Sequence, residues 1–118
     1  MGYLRKIWTD AKADAKRQGA DVSKLLSGKV DLGPLLDACD TAVKAYDSGM
    51  DKLARSPNDA KAAALKKAVR DAYDAAENAA NQYVSLLRNW HNPVADTLKT
   101  VLAMNIIHSI NAYRLRYR

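Results

Sequence analysis

Apolar residues recur at helical spacing along nearly the whole chain. From Tyr3 to Leu26 they fall at Leu4, Ile7, Trp8, Ala11, Ala15, Val22, Leu25 and Leu26, a single stripe. Gly19 sits inside that stripe as a point of weakness, and Ser27-Gly28 is a natural stop. A second run, Leu36, Cys39, Val43, Tyr46, Met50 and Leu53, alternates steps of three and four, which is the seam of a helix packed on a neighbour. The third is the longest: Ala62, Leu65, Val69, Ala72, Ala76, Ala79, Tyr83, Leu86 and Trp90 keep the same alternation. Its middle is alanine, which admits a close neighbour but buries little area per residue.

The fourth run departs from a single stripe. Wound at about 100° per residue, Val94, Leu98 and Val101 share one face. Leu102, Ile106, Ile110, Tyr113 and Tyr117 share another, and Ile107 lies on a third. A helix apolar on several sides is covered on several sides. Either it is the central helix of an irregular bundle, or its second face meets another chain.

Proline punctuates these runs at Gly33-Pro34, Ser56-Pro57 and Asn92-Pro93, each placing Pro at a first helical position. Ser56 and Asn92 are good caps because their side-chain oxygens accept from the orphan amides of a first turn. Ser56 with Asp59 approximates a capping box. No stretch alternates as a strand does, and the links are short, so neighbouring helices run antiparallel. The pattern predicts an all-α fold, a four-helix up-down bundle in one helical domain over residues 1–118. Its helices lie near 3–26, 34–54, 57–90 and 93–113, with a basic tail at 114–118. The third and fourth either fold back as a hairpin or run on as one rod kinked at Pro93. At about 1.5 Å per residue the third helix spans roughly 50 Å and the second about 30 Å. The overhang needs stagger, the ends of the outer helices, or another chain to cover it.

With 118 residues, 48% of them hydrophobic, the chain can fold without staples. Lysine and arginine total 19 and aspartate and glutamate 13, a net charge of +6 that favours anionic partners. The surplus sits in residues 1–30 and 93–118, whereas residues 31–56 are net acidic. On the first helix Arg5, Lys12 and Lys16 flank one side of the stripe and Asp10, Asp14 and Asp21 the other. The second presents Asp37, Asp40, Asp47 and Asp51, which face water, oppose that basic flank, or offer a strip to a basic partner. Val101 to Ile107 is too short to span a bilayer. The N-terminus lacks a secretory pattern, and Lys6 stands where a myristoylation motif wants Ser or Thr, so a cytoplasmic location is the expectation.

Catalytic and metal signatures are sparse. A di-iron bundle needs paired Glu-x-x-His motifs, but the chain has one glutamate, Glu77, with alanine at position 80. The aspartate pairs Asp47/Asp51 and Asp71/Asp74 share helix faces as solvated charge. His91 and His108 read as packing histidines and Cys39 as a small hydrophobe on a seam. No phosphate loop, dinucleotide fingerprint or nucleophile elbow is present. The expectation is therefore a non-enzymatic protein–protein interaction module without cofactor or metal. It would be a small subunit, adaptor or inhibitor that docks on a larger protein or self-associates through the fourth helix. Leu102, Ile106, Ile110, Tyr113 and Tyr117 would supply anchors, with Arg114, Arg116 and Arg118 as the rim. The alternative is a nucleic-acid accessory protein using the basic termini, since the Tyr-Arg interleaving from Tyr113 to Arg118 can pair with phosphates and stack on bases.

Overall fold

A computed structural model describes residues 2–26 and 28–118. The chain is all-helical, with no strand among the described residues, and measures 54 × 23 × 22 Å. Helix α1 is Tyr3–Arg17, α2 Val22–Leu25, α3 Leu32–Leu53 and α4 Asp59–Leu87. The last segment comprises α5, Pro93–Thr100, a π-helical stretch Val101–Ile107, α6, His108–Arg114, and a 3₁₀ turn Leu115–Tyr117.

The helix predicted over 3–26 is two helices. Gly19 takes φ +86°, the left-handed conformation that glycine adopts without a Cβ clash. Its N–H donates to the Lys16 carbonyl and that of Ala20 to the Ala15 carbonyl, both at 3.0 Å. That is a Schellman closure, and it ends α1 before α2 folds Val22 and Leu26 into the core. Helix α3 starts earlier than predicted because Asp31 caps it, accepting from the Gly33 N–H at 3.0 Å. Pro34 then lies in the first turn, where its missing N–H costs nothing. Asn58, not Ser56, caps α4 by accepting from the Lys61 N–H at 3.1 Å, so the predicted Ser56 capping box does not form. Asn92 caps α5 as expected, accepting from the Ala95 N–H at 2.9 Å. Trp90, read as the end of the long seam, lies beyond α4 and is 43% exposed.

Helices α3 and α4 run antiparallel. Leu32 bonds to Tyr83 at one end, and a Cβ on Gly49 would meet the Leu65 side chain at the other. The last segment packs back along α4 until the Arg118 carbonyl lies 3.5 Å from Lys66 Nζ. The third and fourth predicted helices therefore fold back, and a single rod kinked at Pro93 does not occur. Helix α1 packs on α3 and on the π stretch. The core centres on Trp8, Leu36, Val69, Leu87 and Leu102, with Trp8 and Tyr83 rings tilted at 5.6 Å.

The π stretch corrects the reading of the last helix. An unbroken α-helix continuing the three-four seam from Ala95, Leu98 and Leu102 would turn Asn105, Ser109, Ala112 and Arg116 inward. A π turn closes i→i+5 hydrogen bonds and takes up one extra residue. The seam thereby resumes at Ile106, Ile110, Tyr113 and Tyr117. Leu98, Leu102, Ile106 and Ile110 are each at most 1% exposed. What looked like several apolar faces is one face with a phase slip. Each fully buried Leu or Ile contributes about 1.5–3 kcal/mol.

Candidate functional site

The residues expected to form a contact surface divide sharply. Leu102, Ile106 and Ile110 are 0% exposed inside a single chain, so they are core and not surface anchors. Tyr117 is buried as well, edge-on to Tyr46 at 4.9 Å and 89°. Tyr113 is half-buried, 6.4 Å from the ring of Tyr73. Arg114 is held within the fold. Its Nη1 lies 2.5 Å from Asp74 Oδ1, and its Nη2 bonds Asn111 Oδ1 at 2.5 Å. Glu77 Oε2 pairs with that same Nη2 at 2.7 Å, as charges without hydrogen-bond alignment. Arg116 and Arg118 remain exposed, Arg116 lying 5.7 Å over the Tyr113 ring. The 114–118 segment is thus the helical end of the last segment, not a free tail.

Two of the concave surfaces among the described residues bear on function. One, of about 390 Å³, lies between the start of α1, the middle of α3 and the last turns of the chain. Tyr73, Tyr113, Tyr117, Arg116 and Cys39 come together on its walls. Burial pushes the Cys39 thiol up to about 12, so it stays protonated and is no nucleophile at neutral pH. Burial likewise pushes the Tyr73 hydroxyl up to about 12, with Cys39, Tyr117 and Tyr113 adding and Arg116 opposing.

The other surface belongs to the loop end of the α3–α4 hairpin, on the far side of the level at which Arg118 lies beside Lys66. The helix seam there keeps its apolar residues and loses its cover. Val69 is 0% and Tyr73 5% exposed, whereas Met50, Leu53 and Leu65 are only half-buried. Leu53, Leu65, Pro57 and Ala64 line a groove of about 490 Å³ rimmed by Lys52 and Lys61, with no carboxylate on its walls. Across residues 51–67 the cations are Lys52, Arg55, Lys61, Lys66 and Lys67, against Asp51 and Asp59. Of these, Lys67 alone has an acidic partner within ion-pair distance among the described residues, Asp71 at 2.6 Å.

The length mismatch in the sequence signalled this arm. The groove residues themselves carry no motif. His91, in the link between α4 and α5, and His108, in α6, are both exposed, so neither is a packing histidine. Among the described residues no three of His, Cys, Asp or Glu group as metal ligands, and no helix is long and apolar enough to cross a membrane. The chain matches no protein-family model, and neither the curated proteins nor the solved structures include a significant match to it.

Proposed function

We propose that this chain is a non-enzymatic protein-docking module, an up-down four-helix bundle whose projecting α3–α4 arm receives an acidic amphipathic helix of another protein. The observation that carries the reading is the half-buried seam at Met50, Leu53 and Leu65 under a lysine rim that lacks carboxylate partners. A partner's leucine-type stripe would complete the apolar cover, and its glutamates would answer Lys52 and Lys61. That is the helix-in-groove mode, with charge fixing the orientation. Two copies meeting arm to arm would set these cations against each other, so a foreign acidic segment fits better than a second copy.

A labelled synthetic helix with a leucine stripe and glutamate flanks tests the reading by fluorescence anisotropy. Saturable binding is expected, weakened at least tenfold by Lys52→Glu with Lys61→Glu, at unchanged helical signal and melting temperature. Absence of saturation, or equal binding by the reversed-charge variant, overturns it. Light scattering that shows a dimer abolished by the same variant assigns the face to a second copy instead. A salt-steep gel shift of duplex DNA abolished by that variant assigns it to nucleic acid. Either result overturns the proposal.

A further inference from the structure

The concavity at the C-terminal end has properties that the arm does not explain. Its roughly 390 Å³ is within the size range of small-molecule sites. Tyr73 is 5% and Tyr117 8% exposed, and both line it. Among the described residues the hydroxyls of Tyr73, Tyr113 and Tyr117 make no hydrogen bond within the chain and keep contact with solvent, whereas that of Tyr83, buried elsewhere, makes two. Three tyrosines thus line one space with hydroxyls not engaged elsewhere in the chain. Burial raises the pKa of Tyr73 and Tyr117 above the ordinary tyrosine value, so those two protons stay on at neutral pH.

Charge and apolar surface complete the site. Arg116 is steadied over the Tyr113 ring and pairs with no carboxylate among the described residues. Arg5 also lines the space. Its Nε lies 3.8 Å from Asp37, and its buried Nη1 is packed against Gly33, outside the concavity, so its guanidinium tip is not one of the donors there. The one acid on the wall, Asp40, is already engaged by Lys44 at 3.1 Å. Leu4, Leu36 and Val43 give an apolar lining.

From this arrangement we infer that the concavity binds a small organic carboxylate with an aromatic or apolar body. The carboxylate accepts from the Arg116 guanidinium and the tyrosine hydroxyls, and the body lies against Leu4, Leu36 and the Tyr73 ring. A guanidinium matches a carboxylate with two parallel hydrogen bonds, and phenol donors can supply the remaining lone pairs. This inference is independent of the arm.

Sodium benzoate is the probe, titrated into the ¹⁵N-labelled full chain. Saturable shifts are expected at the backbone amides around Cys39, Tyr73 and Tyr113. Benzyl alcohol, with the ring but no charge, and acetate, with the charge but no ring, should each bind at least tenfold more weakly. Arg116→Gln should weaken benzoate at least tenfold and Tyr73→Phe several-fold, without loss of melting temperature. Because Arg116 is exposed, its variant folds whatever becomes of the tyrosine change. No saturable shift with benzoate, equal binding by the Arg116→Gln protein, or inorganic phosphate binding more tightly than benzoate would each overturn the inference.

Discussion

The Tyr83 hydroxyl holds the entry to α3 against α4. It donates to the Val30 carbonyl and accepts from the buried Leu32 N–H at 2.8 Å, thereby pinning a segment fifty residues distant in sequence. Removing it leaves a buried donor with nothing to bond, which costs about 1–3 kcal/mol. Tyr83→Phe should lower the unfolding free energy by that amount in a urea titration, and a change under about 0.5 kcal/mol would show the hydroxyl to be dispensable. Tyr73 predicts a pH effect. Its pKa is about 12 in the folded chain against an ordinary 10, raised chiefly by burial. The folded state then keeps a proton that the unfolded chain releases, so the contribution of Tyr73 is intact below pH 10 and is lost as pH climbs from about 10 to 12. The loss is about 1 kcal/mol once solvent screening of the half-covered group is discounted, and unfolding curves of Tyr73→Phe should be flatter across that window.

At the scale of elements the π stretch is the decisive feature, because it converts a phase slip in the sequence into one continuous packed face. The slip is a single surplus residue between Leu102 and Ile106. Thr97 and Thr100 donate to the carbonyls of Pro93 and Asp96 at 2.9 and 3.0 Å, drawing on the backbone just before the widened turn. Deleting the exposed Ala103 would let the segment wind as α-helix throughout while Ile106, Ile110, Tyr113 and Tyr117 keep their places. That protein should fold with stability within about 1 kcal/mol of the parent or above it. Deleting Ala72, inside regular α4, should cost more than about 3 kcal/mol, because it rotates Tyr73, Ala76 and Tyr83 out of the core. Equal damage from the two deletions in thermal melts would refute the phase-slip account.

The whole molecule is a packed body with a projecting arm. The body encloses Trp8, Leu36, Leu102 and Ile106, whereas the arm is two helices whose seam residues cover one another on one side only. Protection should follow that division, since local opening is easiest where few apolar contacts must be lost. In hydrogen exchange the amides of residues 50–66 should exchange roughly 10²–10³ times faster than those of residues 69–87 in the same helical hairpin. Uniform protection along α4 would show the arm to be as stable as the body. The arm should slow selectively when an acidic helix docks on it, while benzoate should leave it unchanged.

Much of this fold was legible in the chain. Three-four periodicity, the Asn92-Pro93 start and the glycine at position 19 are local signals, because helix winding and capping are settled within a turn or two. Of the α3 acids, Asp37 lies toward Arg5 of the opposing basic flank, one of the arrangements left open by the sequence, whereas Asp40 pairs with Lys44 of its own helix. The apparent excess of apolar faces on the last segment came from assuming one winding throughout. Whether the chain spends a surplus residue on a second face or on a wider turn depends on the helices it packs against. The arm and the tyrosine-lined concavity exist only where distant segments end beside one another, Arg118 beside Lys66 and the start of α1 beside Tyr113. Periodicity along the sequence thus determined the helices and their inner faces. The tertiary structure alone decided which side chains remain uncovered, because burial is a property of neighbours brought together by folding.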